Sequence, residues 1–314
     1  MSGPVSYEQM RKHQAMPLEA KVAFTESRIK AWYLHYCGDV YLSYSGGKDS
    51  TVLRHIVKSI FPDVPAVFCD TGLEYPEVRK LAIRKADVVI RPTMNFKQVI
   101  EKYGYPIPSK EQALYIRQAR HSTEHMRKLR LGNGRYSVSA RWRNLVYAPF
   151  EISEKCCDAI KKVPFKAYEK DTNRARITAM MASESTRRER GYMKSGCNNF
   201  SEKNPSSMPM AIWTEQDVLR YIVENGLEYA GCYGEIVEAN GKLKCTREDR
   251  TGCMFCMFGI QFDGTPNRFQ RMERDYPKQY DYCINKLGIG KVLDYVGIPY
   301  RYQPTLFDES EADE

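Results

Sequence analysis

"YLSYSGGKDSTVLRH", Tyr41 to His55, runs an apolar, β-rich stretch into two glycines, a lysine, an aspartate and a serine, and then into a helical repeat. Strand, tight turn and helix in that order open a βαβ unit. The glycines let backbone approach a ligand closely, and the first amides of the helix, with Lys48 beside them, favour an anion. A Walker-type loop needs a glycine five positions before the glycine of its Gly-Lys pair, where Leu42 stands, and the GxGxxG dinucleotide fingerprint is also missed. Taken alone, the stretch is a phosphate cradle of another kind or simply a turn.

The neighbouring sequence extends the pattern. Residues from about Tyr7 to Tyr36 read as helical. After the opening strand, Asp49–Ile60 has helical periodicity, "VPAVFCD" (Val64–Asp70) reads as a second strand, and "TGLEYPEVRKLAIRKA" turns into a helix. "DVVIRP" (Asp87–Pro92) is a third strand. This spacing predicts an α/β fold, a doubly wound and mostly parallel sheet of Rossmann-like type. Ligands of such sheets sit beyond the carboxyl ends of the strands, where Ser45 and Asp70 fall. Further on, "RARITAMMAS" (Arg174–Ser183) reads as a later strand. "WTEQDVLRYIVENG" (Trp213–Gly226) reads as a helix capped by Thr214, with Asp217 at its third position and Gly226 ending it. The expected organisation is an N-terminal helical segment (1–37), a nucleotide-binding domain (38–230), a smaller cysteine-bearing helical region (231–305) and an acidic, disordered tail (306–314).

At 314 residues, 42% hydrophobic and 28% charged, the chain has the composition of a globular protein with a core. No apolar run approaches the roughly 20 residues that span a bilayer, and the first residues lack a secretory apolar core, so a cytoplasmic location without a membrane partner is expected. A net charge of +9 suits a polyanionic partner, though many soluble enzymes share it. Basic runs at Arg117–Arg135 and Glu184–Arg190 fit nucleic acid or a solvated helix face. Tyr115, Tyr136 and Trp142 are aromatic candidates for stacking on bases, or core residues. Ten cysteines in a reducing compartment point to metal or redox chemistry rather than disulfides. Cys37 and Cys69 sit among apolar residues and read as core. Four of the others suit tetrahedral zinc, with Cys232, Cys245, Cys253 and Cys256 as one set.

Ser45-Gly46-Gly47-Lys48-Asp49-Ser50 resembles the PP-loop of ATP pyrophosphatases, enzymes that split ATP between its α and β phosphates and place AMP on a substrate. The resemblance implies that these six residues hold the phosphates of ATP, with Mg²⁺ offsetting their charge, and it marks Lys48 and Asp49 as catalytic. "FCDTGLEYPE" resembles the second-strand motif of the sulfonucleotide reductase and sulfate adenylyltransferase branch, which implies that Asp70, Thr71, Gly72 and Glu74 lie beside the nucleotide. "EKCCDAIKKVPFKAY" resembles the tandem-cysteine stretch of adenylyl-sulfate reductases that carry an iron–sulfur cluster. "SESTRRER" is similar to their "ES..R" element through Glu184, Ser185 and Arg188, although Met181 stands where an arginine is common. "TGCMFC" resembles their CxxC. The resemblance therefore implies a 4Fe-4S cluster on Cys156, Cys157, Cys253 and Cys256, zinc being the alternative metal. It leaves Cys197 and Cys245 as the candidate sulfur-carrying or redox thiols, each a rival cluster ligand or an inert cysteine.

Two departures steer the expected reaction. No cysteine follows Cys283, whereas such reductases attack sulfur with a C-terminal thiol, and the Gly-Lys-Asp-Ser loop they usually lose is intact. The expectation is an ATP-dependent sulfurtransferase that forms AMP and pyrophosphate, similar to iron–sulfur DNA phosphorothioation and tRNA thiolation proteins. Its expected partners are tRNA or DNA and a sulfur donor such as a cysteine desulfurase, with a homodimer open. The alternatives are a sulfonucleotide (PAPS or adenylyl-sulfate) reductase-like enzyme, and a non-catalytic nucleotide or cluster sensor in a defence or mobile-element system.

Overall fold

The structure, a computed structural model, describes residues 4–202 and 205–303. The expected acidic tail lies outside the described residues. The chain divides into two compact units, one from residues 1–92 and 163–251, the other from 93–162 and 252–314. Each is discontinuous, so the consecutive boundaries expected from sequence need correcting. Residues 93–162, assigned to the nucleotide-binding domain, fold instead with the C-terminal segment, because the chain leaves the first unit after its third strand and returns at Val163.

The first unit is built on a six-stranded sheet. In chain order its strands are β1 (Val40–Tyr44), β2 (Ala66–Cys69), β3 (Val88–Ile90), β4 (Ala175–Ile177), β5 (Asn198–Asn199) and β6 (Ser206–Ser207). They lie in the order β3-β2-β1-β4-β6-β5. β1 pairs in parallel with β2 on one side, Leu42 opposite Ala66, and with β4 on the other, Val40 opposite Ala175. Only the β5–β6 pair is antiparallel. The predicted doubly wound α/β sheet is therefore present, and its order reverses beside β1, the position where such sheets open a ligand crevice. β1 reads as alternating in sequence, yet all its residues but Ser43 are buried, because a central parallel strand is covered on both faces. A core cluster joins Val40, Leu42, Val52, Leu53 and Ile56 to Trp32, Ile212 and Trp213.

Other sequence expectations shift locally. The helical N-terminal stretch is two helices, Tyr7–Gln14 and Leu18–His35, separated around Pro17, whose ring and missing N–H suit a helix start and not an interior. Cys37, expected in the core, is exposed and adopts φ +50° in the turn before β1. β4 is shorter than the predicted strand, since the Met181 amide is taken by the Glu184 carboxylate at 3.0 Å. The helix Glu215–Glu224 forms as read, with a reciprocal Thr214–Asp217 cap and Gly226 at φ +57°. A hairpin that the sequence reading missed, β7 (Ile236–Ala239) and β8 (Lys242–Cys245), turns through Asn240 and Gly241, both at positive φ.

The second unit is helical, with Phe96–Tyr103, Lys110–His121, Glu124–Leu131, Arg268–Asp275, Pro277–Asp281 and Ile289–Val296 as its α-helices. Among the described residues no helix is long and apolar enough to cross a membrane.

Candidate active site

The turn after β1 is held by its own side chains. Ser45 Oγ and Ser50 Oγ lie 2.9 Å apart, and the Ser50 hydroxyl donates to the Gly47 carbonyl at 3.0 Å. Gly46 adopts φ +74°, and a Cβ there would stand 2.7 Å from the Val78 carbonyl oxygen, so only glycine fits. Gly47 precedes the helix Lys48–Ile60 and supplies no side-chain cap to its first amides.

Lys48 is 5% exposed. Its ammonium donates to Glu215 Oε1 at 2.8 Å and to the Asp249 carbonyl. Its amide donates to the Tyr233 hydroxyl at 3.3 Å, and that hydroxyl is 2.5 Å from Thr251 Oγ1. Oxygen atoms of a carboxylate, a carbonyl and a phenol thus surround the lysine, the same atom type that phosphate would present in their place. Asp49 is held differently. Its Oδ1 is buried with no hydrogen-bond partner, and burial raises its pKa against the pull of Lys48, Arg250 and Arg188.

Arg188 pairs with Glu184 and is held by burial and by Arg250 below the usual guanidinium range. Arg188 and Arg250 therefore repel each other, and both act on the Asp49 carboxylate. The Ser185 hydroxyl accepts from the Arg188 amide at 3.3 Å and caps the helix Thr186–Ser195, so its role is positional. At the end of β2, Asp70 accepts both prongs of Arg79 at 2.7 and 2.8 Å, and that pairing draws its pKa below the usual carboxylate value. Glu74 accepts from the Thr71 hydroxyl at 2.6 Å and from the Thr71 and Leu73 amides at 3.2 Å, with Gly72 at φ +71° closing the turn.

The candidate thiols separate. Cys245 ends β8 nearly buried. Burial raises its pKa, and Lys48 is the strongest charge lowering it, with Asp249, Glu215 and Asp49 opposing. It lies in the same unit as the phosphate loop. Cys197 packs in the core cluster, where burial pushes its thiol up to about 12 against the pull of Arg28. Sequence reading missed Glu215, Tyr233, Asp249, Arg250 and Thr251. Glu215 looks like an ordinary first-turn helix acid, and the charge density of "TREDRT" was the one available signal.

In the second unit Cys156, Cys157, Cys253 and Cys256 form one electrostatic group. Burial raises the Cys156 thiol, and Cys157, Cys253 and Cys256 raise it further. Cys256 is raised by burial and by Cys157, and is relieved by the Phe258 amide, Arg268 and Lys161. Gly104 permits this arrangement at a distance. At φ +100° its missing Cβ would fall 2.3 Å from the Glu151 carbonyl carbon, and Tyr105 then pairs with Glu151 and Ser153 on the way to the tandem cysteines. No three His, Cys, Asp or Glu side chains among the described residues form a group that could hold a metal ion as they stand. Of the zinc alternative, Cys232 and Cys245 belong to the first unit and Cys253 and Cys256 to the second.

A family model described as the phosphoadenosine phosphosulfate reductase domain matches residues 39–132 and 123–248. An uncharacterized protein of Methanocaldococcus jannaschii is 26% identical over 254 residues, 78% of this chain and 46% of that protein. The chain thus spans about half the length of the curated relative it matches. The crystal structure of phosphoadenylyl-sulfate reductase from Candida auris, in a phosphate complex, aligns with 77% of this chain and 100% of its own at a TM-score of 0.41 and 13% identity.

Proposed function

Because the chain belongs to the phosphoadenosine phosphosulfate reductase domain family, a branch of the PP-loop ATP pyrophosphatases, we propose that it activates a nucleic acid with ATP and then transfers sulfur to it. The observation that carries this reading is the intact loop, whose buried Lys48 ammonium is held by oxygens of Glu215 and Asp249 that phosphate oxygens can replace. Lys48 and the uncapped helix amides would take the β- and γ-phosphates, exchanging Glu215 and the Asp249 carbonyl for phosphate oxygens. The unpartnered Asp49 Oδ1 fits Mg²⁺, a hard cation that takes carboxylate oxygen. A substrate oxygen would attack the α-phosphorus, the α–β bond would break, and pyrophosphate would leave with its charge held by Lys48 and Arg188. A sulfane sulfur carried on Cys245 as a persulfide, supplied by a desulfurase-type donor, would then displace AMP. The substrate–oxygen bond breaks and a substrate–sulfur bond forms. A second thiol, of the protein or of an external reductant, then attacks the Cys245 sulfur; the S–S bond breaks, the thiolated substrate leaves, and Cys245 and that thiol remain as a disulfide.

The cysteine group of the second unit suits a 4Fe-4S cluster better than a single zinc. The tandem Cys156-Cys157 with the Cys253-x2-Cys256 pair resembles the pattern of cluster-bearing adenylyl-sulfate reductases, and an amide N–H and two cations act on Cys256. Such a cluster would supply electron-transfer or sulfide-binding chemistry. The test is pyrophosphate release from ATP by anaerobically purified protein, with and without tRNA or DNA. Stimulated release is expected. Turnover of adenylyl sulfate with a thiol donor and no release from ATP would establish the reductase alternative instead.

A further inference from the structure

Much of the positive charge of the chain lies in one stretch of the second unit, the helix Glu124–Leu131 and the loop that follows it. Residues 122–147 carry six Lys and Arg against a single carboxylate, Glu124, in a chain whose net charge is only +9. The fold sorts the arginines in and before this loop into two kinds. Arg120 donates to the carbonyls of Leu145, Val146, Phe150 and Ala148 at 2.6 to 2.9 Å. Arg130 bonds Gln118 at 2.8 Å and stacks over the Tyr115 ring, while Arg143 holds the Gly132 carbonyl at 2.8 Å. These three fold the loop back on itself. Arg127, Arg135 and Arg141 face solvent and have no carboxylate partner among the described residues.

The aromatic residues divide in the same way. Tyr115 and Trp142 are buried, which removes them as stacking candidates. Tyr136 is 54% exposed beneath Arg135, and Tyr147, which sequence reading passed over, is 73% exposed. Exposed rings among unneutralised guanidinium groups match a strand with unpaired bases, where rings stack and arginines take phosphates. Duplex recognition would need the charge and not the rings.

We propose that residues 122–147 are a binding surface for single-stranded or looped nucleic acid, with Arg127, Arg135 and Arg141 on phosphates and Tyr136 and Tyr147 on bases. This rests on the nucleic-acid reading above and names the part of the chain that recognises it.

The test is fluorescence anisotropy of a labelled single strand of about 20 nucleotides, as DNA and as RNA, against the matching duplex, across a salt series without ATP. The single strand should bind more tightly than the duplex. R127A/R135A/R141A should flatten the slope of log K against log salt by about 2, some 0.7 per lost contact. The three Lys replacements should keep the slope, which separates lost charge from a damaged fold. Y136L/Y147L should weaken binding about tenfold per ring with the slope unchanged. K12A, in the other unit, should bind as the parent does. Absence of binding, equal binding by all variants, or duplex binding as tight as the single strand would overturn the proposal, as would full displacement by anionic phospholipid vesicles. Pyrophosphate release keeps the two readings apart. Variants that bind normally while nucleic acid still stimulates release would refute this surface alone. The expected binding losses with no stimulation would refute the function alone.

Discussion

The phosphate loop and the cysteine group are built in opposite ways. The loop is six consecutive residues whose contacts, Ser45 to Ser50 and Ser50 to Gly47, close within the turn itself. The cysteine group takes two residues from each of two segments about a hundred positions apart, aligned only after the second unit has folded. A local site keeps its geometry when distant parts of the chain change, whereas a site assembled from remote segments depends on the packing beneath it. The turn of the loop should therefore keep its shape when remote residues such as Glu215 are replaced, whereas the cysteine group should fail through its supports as well.

The largest effect should come from Lys48. Lys48→Ala removes the one cation inside the turn and should lower pyrophosphate release at least about a hundredfold, as loss of a transition-state charge partner commonly does. Lys48→Arg should recover little, because a planar guanidinium does not fit a site where the lysine is 5% exposed. Activity within tenfold of the parent in Lys48→Ala would remove the loop from the chemistry. Next comes the cysteine group. Cys156→Ser should reduce iron from about four per chain to below one and bleach the visible absorbance, while Cys283→Ala, a buried thiol of the same unit, should leave both unchanged. Gly104→Ala should also lower iron loading, since its new Cβ would collide with the Glu151 backbone. Full iron in that variant would break the contrast between the two sites.

The same contrast explains what could be read from sequence. The loop, the capped helix at Thr214 and the strands around β1 are local patterns, and each appears where its residues predict. The two interleaved units were not legible, because nothing local marks residues 93–162 as packing with residues beyond 252. Nor were the residues closing over Lys48, since Tyr233 and Asp249 reach it across about 200 positions. The family resemblance supplied the cysteine set. The structure added that Cys245 and Cys197, equal candidates in sequence, sit in different surroundings, one within the electrostatic reach of the loop lysine and the other inside the core.

A smaller effect belongs to the turn after β2. Asp70→Asn loses the two charge-assisted bonds from Arg79 and should cost about 1.5–3 kcal/mol of stability at neutral pH. The folded carboxyl has a pKa below its ordinary value of 3.8. The pair's stabilisation is therefore complete above that value and lost as pH falls through the lowered pKa. Chemical denaturation should show parent and variant converging as pH falls through that lowered pKa. A gap that persists there would assign the loss to packing instead of charge.

The finest test compares Cys245 with its setting. Lys48 lowers the pKa of this thiol while burial raises it, so removing the lysine leaves burial, Glu215, Asp249 and Asp49 all acting in one direction. The thiolate is the reacting form. At pH 8, Lys48→Ala should therefore slow modification of Cys245 by a small methanethiosulfonate a few-fold, and the deficit should close as pH rises through the higher pKa. Glu215→Gln removes one of the opposing charges and should speed the same reaction. Quantifying the modified peptide by mass spectrometry reads this thiol alone among ten cysteines. Equal rates in all three proteins would mean that the lysine does not act on the sulfur, and Cys245 would then lose its place in the sulfur-transfer step while the loop kept its place in ATP cleavage.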